Sequence, residues 1–258
     1  MRRHRAYLGV AGLLGFALLL EIAPRIGLVP RRYAPPTSEI IGTLAGQLGD
    51  GQFWFAVLDT VRTWLLGLAV AVAAGVVLGV VIGTIPVLRA ATASTIEFLR
   101  PIPSVALIPL VVVLWGSTIT STLVLVVYAS FWQVLVQVLH GVADIDPVAQ
   151  DTAHSYRLGR WDRVRYLVWP TALPYVATGV RLAATVALIL TITGELVVGS
   201  PGLGREIATA RSSGAVAVMY ALIVVTGVFG VLANVLTRAA ERRALHWHPA
   251  MRTEATPA

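Results

Sequence analysis

The chain has 258 residues, 57% of them hydrophobic and only 13% charged, with a mean hydropathy of +0.78. Soluble domains carry roughly 25% charged residues, so a water-soluble enzyme is a poor reading from the outset. All 20 basic residues are arginine and there is no cysteine, which excludes Schiff-base lysines, a phosphate-binding Walker A lysine, thiolate nucleophiles and disulfides.

A helix crossing the roughly 30 Å hydrocarbon core takes about 20 mostly apolar residues. Ala6 to Leu20 is uncharged and reaches that length if Glu21 and Ile22 extend it into the interface. Ile22-Ala23-Pro24 makes a poor cleavage site, so this segment is expected to stay as a span rather than leave as a signal peptide. Thr63 to Leu88 is an unbroken uncharged run. Along it Gly67, Ala71, Gly75, Gly79 and Gly83 put a small residue at every fourth position, which predicts a packing seam between helices. Pro101 to Ala143 holds no Asp, Glu or Arg and is too long for one helix. Gly116-Ser117-Thr118 is its polar turn, so two helices and a tight hairpin are expected. Leu182 to Gly199, interrupted by Glu195, and Ser212 to Thr237 complete a count of about six spans.

Arginine placement orients them, because cytoplasmic loops are enriched in Arg and Lys. Arg2, Arg3, Arg5, Arg89, Arg100, Arg157, Arg160, Arg163, Arg165, Arg181, Arg238, Arg242, Arg243 and Arg252 fall on one side. The other side receives only Arg25, Arg31, Arg32, Arg62, Arg205 and Arg211. Both termini are therefore expected in the cytoplasm. The formal charge of +7 then reports topology, and no nucleic-acid partner is expected.

Between spans four and five lies a charged cytoplasmic stretch. Asp146-Pro147 reads as an N-cap followed by proline at the first helical position, opening a helix to about Arg157 that Gly159 would end. A second short helix is expected from Arg160 to Val168, before Pro170 and Pro174 lead into the fifth span. Such an elbow suits insertion into a partner's groove, and equally a solvated connector.

Asp151-Thr152-Ala153, then Arg157, Leu167-Val168-Trp169-Pro170 and Thr171-Ala172-Leu173-Pro174, resemble the "EAA" loop of ATP-binding-cassette importer permeases. The segment Arg100 to Leu110, and Gly194-Glu195-Leu196 running to Gly202-Leu203-Gly204, resemble the branch carrying nitrate, sulfonates, taurine and bicarbonate. The resemblance covers residues 60 to 240 or so and implies an all-helical permease of the type I importer fold. It further implies a loop that docks on separate ATPase subunits, an extracytoplasmic solute-binding protein and a permease dimer, expected as a homodimer. The coupling residues carried over are Asp151, Thr152, Ala153, Tyr156, Arg157, Gly159, Trp161, Leu167 and Pro170. Three of them depart from the motif: Asp151 replaces glutamate, Thr152 replaces alanine, and Arg157 takes the glycine position, with Gly159 two residues onward.

Glu195 is the single acid within its apolar span, and two readings stand: a gate or translocation-path residue, or a wet helix end. Pro101, Pro103 and Pro109 break the third span, either as a pore-lining segment or as a bend into the bundle. His246-Trp247-His248 lacks an acidic or cysteine companion, so no metal is expected. His140, His154, Asp144 and Asp146 lack a nucleophile beside them, so no catalytic residue is expected.

The expected organisation is an N-terminal helix with its extracytoplasmic connector over 1–60, a permease core over 61–240 with a coupling loop at 141–181, and a cytoplasmic tail over 241–258. The expected function is alternating-access import of a small solute in the bacterial inner membrane, in contact with membrane lipids. The chain itself needs no cofactor, ATP-Mg being held by the partner ATPase. A self-contained secondary transporter is the alternative, but it would be expected to show paired intramembrane charges or an inverted repeat.

Overall fold

The computed structural model describes residues 2–246; Met1 lies outside the described residues, as do Trp247, His248, Arg252 and the rest of the expected tail. Every regular element among the described residues is a helix. In chain order they are α1 (Arg2–Arg25), α2 (Thr37–Gln47), α3 (Gly51–Thr84), α4 (Pro86–Leu99), α5 (Ile108–Trp115) and α6 (Ile119–Ala143). Then come α7 (Pro147–Ser155), α8 (Arg160–Arg163), α9 (Trp169–Val198), α10 (Leu203–Ser212) and α11 (Val216–Ala244). Among the described residues four helices, α3, α6, the run Arg160–Val198 and α11, are long and apolar enough to cross a membrane, against about six expected. α4 with Ser104–Trp115 forms a bent pair that is either a broken span or a re-entrant loop. With its 24 residues, α1 occupies the first expected span.

The second and third spans differ from expectation for reasons that lie in proline. The second begins earlier, at Gly51, where Asp50 Oδ1 caps the helix by accepting from Gln52 N at 3.0 Å. It ends at Thr84 rather than Leu88, because Ile85 precedes Pro86 and is held extended (φ −111°, ψ 103°). The third expected span is not a straight helix at all. α5 has eight residues, about 12 Å of rise, and the Ser104–Trp115 segment lies at 81° to α4. Pro101 and Pro103 lack the N–H that would carry α4 onward. The Tyr128 hydroxyl instead satisfies the Leu99 carbonyl at 2.8 Å. Pro109 sits in the first turn of α5, where a missing N–H costs nothing. The hairpin falls where expected: Gly116 adopts φ +69° and its carbonyl accepts from Ser121 Oγ at 2.6 Å.

α6 is the central helix. In its most apolar stretch 56% of residues are buried, against 22% in α3 and 17% in α11. Its partners are α3 on one side and α9 on the other. The small-residue stripe of α3 is the seam expected of it. A methyl group built on Gly75 would stand 2.8 Å from Val134 Cβ, and one on Gly79 would stand 2.7 Å from Val138 Cβ. Gly67 and Gly83 meet Val126 and Val142 in the same way. Lipid supplies no hydrophobic drive between helices, so this close backbone approach and its dispersion contacts hold the pair. Two buried polar contacts join neighbouring elements: Trp64 Nε1 donates to Ala184 O at 2.9 Å, and the Thr122 and Ser200 hydroxyls lie 2.7 Å apart.

The segment between α1 and α3 is more ordered than a connector. The Glu21 carboxylate accepts from Ser38 N (2.9 Å) and Ser38 Oγ (3.0 Å) at the start of α2, where unpaired N–H groups favour an anion. α2 in turn packs on α11.

Candidate functional site

The elbow expected at the cytoplasmic face is built from the end of α6 to the start of α9. Asp146 Oδ1 accepts from Val148 N at 2.8 Å, the expected N-cap, with Pro147 in the first turn of α7. Ile145, 7% exposed, anchors the approach in the core, and Ala153 is the buried residue of α7 itself. Asp151, Thr152, Val148 and Tyr156 all face solvent, Tyr156 at 79% exposure. The residues carried over from the motif therefore divide: Ala153 seats the elbow, while its neighbours face solvent.

The helix ends differently from the sequence reading. α7 stops at Ser155, and Arg157 takes the left-handed conformation at φ +54°. Leu158 N reaches back to Ala153 O (3.0 Å) and Arg157 N to His154 O (2.9 Å), the paired bonds of a Schellman cap. Gly159 does not close this helix; it is the N-cap of α8 with φ −61°. The turn thus needs positive φ at the position occupied by arginine, where a β-carbon costs about 1–2 kcal/mol. Arg157→Gly is expected to stabilise the protein by about 1 kcal/mol and raise its unfolding temperature by about 2–4 °C, measurable by thermal unfolding in detergent. An unchanged or lower transition would show that the turn carries no strain.

The second short helix does not stand apart. α8 passes into a π turn at Val164–Val168 and then into α9, a single run of 39 residues from Arg160 to Val198. Pro170 explains the π turn: its missing N–H and ring clash break the ordinary ladder one turn upstream, and wider spacing absorbs the break. The fifth span therefore starts well before Leu182, and the elbow is welded to it. Val168 is buried and Leu167 packs beside it, with Pro170 half-buried behind. Arg163 contacts His154 Nε2, joining α8 to α7. Tyr175 Oη donates to Asp144 Oδ2 at 2.7 Å, tying α9 to the end of α6. Trp161, 81% exposed, lines an open cleft of about 440 Å³ with Asp162, Val164, Arg165 and Trp169.

Glu195 lies at the other end of α9. It is fully buried, so it is not a wet helix end. Its Oε2 accepts from Thr60 Oγ1 and from Gly204 N, both at 2.9 Å, and Thr60 Oγ1 accepts from Leu203 N at 2.9 Å. These bonds pin the α9–α10 turn onto α3. Gly199 closes α9 at φ +82°, and Gly202 turns at φ +145° where a β-carbon would overlap the Glu195 carboxylate. Thr60 was not among the sequence candidates; it is 135 residues from Glu195, and nothing local marks it. Pro101 and Pro103 lie in the bend between α4 and α5 and Pro109 in the first turn of α5, and the hydrogen bonds of Glu195 go to Thr60 and Gly204 instead.

Comparison with known proteins places this arrangement. The family model "binding-protein-dependent transport system inner membrane component" matches residues 54–246. The taurine transport system permease protein of Escherichia coli is 30% identical over 226 residues, covering 86% of this chain and 82% of that protein. The putative aliphatic sulfonates transport permease protein of Bacillus subtilis is 23% identical over 247 residues, 95% and 90% of the two chains. The fold also matches a solved bacterial ABC transporter involved in importing the acidic polysaccharide alginate, with TM-score 0.65, 14% identity and coverage of 94% and 96%. The chain belongs to the binding-protein-dependent transport system inner membrane component family: it is a multi-pass permease subunit of an ATP-driven importer, whose ATPase is a separate subunit and whose solute is delivered by a binding protein.

Proposed function

We infer that the elbow is the coupling element and that the solute is a small oxyanion, with sulfonates such as taurine first among them. The observation that carries the coupling role is the fusion of elbow and span. A surface of Val148, Asp151, Thr152 and Tyr156 on and beside α7 is joined by the Arg163–His154 contact to α8. The exposed Trp161 of α8 stands at the start of a 39-residue helical run that reaches the far side of the bundle. A push on α8 from a closing ATPase therefore moves α9 as a lever rather than flexing a hinge. The solute class rests on the relatives whose names specify taurine and aliphatic sulfonates. The chain acts in the inner membrane with both termini in the cytoplasm, as a homodimer, against two ATPase subunits that hold ATP-Mg. It has no catalytic group or cofactor of its own.

Asp151→Arg tests the coupling role, because it reverses the charge of an exposed residue without touching the core. Taurine uptake by cells producing the whole transporter is expected to fall at least about tenfold, with the protein still inserted and monodisperse. Normal uptake in that variant removes the docking assignment. Transport of taurine by the purified chain alone, driven by an ion gradient, would instead establish a self-contained transporter.

A further inference from the structure

Arg157 is the only non-glycine residue with positive φ among the described residues; the other positions with positive φ are Gly27, Gly116, Gly199, Gly202 and Gly214. The turn does not need its side chain. Both bonds that define the cap, Arg157 N to His154 O and Leu158 N to Ala153 O, are made by backbone and would form equally well with glycine. Nor does the rest of the chain use the side chain. The ion pairs among the described residues are Arg25 with Glu21 and Arg181 with Glu241, and no hydrogen bond or ring contact engages the Arg157 guanidinium. Among its neighbours Arg163 is held by His154 and Arg165 lies over the Tyr166 ring, while Arg160 is exposed on α8, where the helical backbone carries no left-handed residue. An exposed, unpaired cation thus stands on a rigid turn at the tip of the elbow, beside exposed Tyr156 and Trp161.

We propose that Arg157 is a recognition residue for the ATPase subunit, pairing with a carboxylate in the groove that receives the elbow. Backbone strain maintained at a functional surface points to a role for the side chain that imposes it. The left-handed backbone fixes the direction of the Cα–Cβ bond, so the guanidinium is presented from one place. Its planar fork suits bidentate binding of a carboxylate. Charged contacts of this kind govern partner choice and association rate more than total affinity. The permease is thereby matched to an ATPase carrying that acid and mismatched to one shaped for a bare glycine. This inference rests on the elbow being the docking element.

The test is binding of the purified cognate ATPase to the full-length permease in lipid nanodiscs, at low and high salt. Arg157→Ala removes the charge but keeps the left-handed strain, and Arg157→Gly removes both. Each is expected to bind about tenfold more weakly at low salt and to lose most of the salt dependence, while Arg157→Lys keeps it. Arg157→Glu is expected to bind more weakly still, and to regain affinity when the ATPase acid found by cross-linking to this turn is changed to arginine. Loss of binding in Arg157→Gly cannot be laid to misfolding, since that change relaxes the turn. Binding by Arg157→Ala and Arg157→Gly equal to the parent at both salts overturns the proposal. Asp151→Arg, run alongside, separates the two ideas. If it abolishes binding while Arg157→Ala does not, only the recognition role fails; if it too leaves binding intact, the docking reading fails and takes this role with it.

Discussion

Glu195→Ala is expected to destabilise the protein by about 3 kcal/mol and to free the α9–α10 turn from α3. The carboxylate is fully buried and accepts from Thr60 Oγ1 and Gly204 N. Alanine leaves the Gly204 amide without its acceptor, at about 1–3 kcal/mol, and opens a cavity where the side chain stood. Glu195→Gln keeps an oxygen able to accept from both donors and fills nearly the same volume, so a loss of about 1 kcal/mol is expected. The measurement is chemical unfolding in detergent, paired with hydrogen exchange at the amides of Leu203 and Gly204. If the glutamine variant is as unstable as alanine, the contact depends on charge rather than on hydrogen-bond acceptance. The same pair of variants divides the two functional readings of this residue. A glutamine variant that folds normally but transports nothing would assign the carboxylate to the solute path; normal transport would leave it as a fastener of the α9–α10 turn.

Gly75→Leu is expected to prevent tight association of α3 with α6 and to cut the yield of monodisperse protein severely. A β-carbon there already meets Val134 at 2.8 Å and the backbone nitrogen of Leu135 at 3.2 Å. Val134 is fully buried, so it has no room to retreat, and backbone cannot yield without α6 moving. Overpacking usually costs about 1–3 kcal/mol, and contact with a neighbouring backbone puts this site at the upper end or beyond. Gly227→Leu in α11 is the matched control. Nothing lies within 4 Å of a β-carbon built there, so the same added volume points outward and the protein should extract normally. Equal loss in both variants would show that helix propensity or insertion, rather than the α3–α6 seam, is responsible.

The membrane architecture was legible because its causes are local. A span needs a long apolar run, a hairpin needs a residue such as Gly116 that accepts positive φ, and a helix start needs a cap such as Asp146 with Pro147 after it. Each of these acts over a few residues; the hairpin and the Asp146 cap fall where expected, while the second, third and fifth spans keep their order but not their bounds. The seam could be read for a related reason. A stripe of small residues at every fourth position has a single face, and in lipid that face is used for close approach. The exposed elbow was also readable, through the Asp146 cap and the residues around Asp151 and Pro170.

The parts that needed the tertiary structure are those whose partners are distant or whose geometry is cooperative. The sequence marks Pro101, Pro103 and Pro109 as a break, but the 81° angle depends on what else packs there, including Tyr128 reaching the Leu99 carbonyl. Pro170 reads as a helix boundary, yet the fold carries the helix through it by widening one turn, because the core around Val168 favours continuity over a clean stop. Gly159 looked like the residue that ends α7, while the backbone placed the left-handed turn on Arg157, where the two cap bonds can both close. Glu195 was visible as an anomaly, but its partner Thr60 was not, since a hydrogen bond between residues on different helices leaves no mark in the spacing of either. Short-range sterics and capping thus determined which helices form and where the loop lies, whereas long-range hydrogen bonding and close packing decided how α9 is fused to the elbow and fastened at its far end.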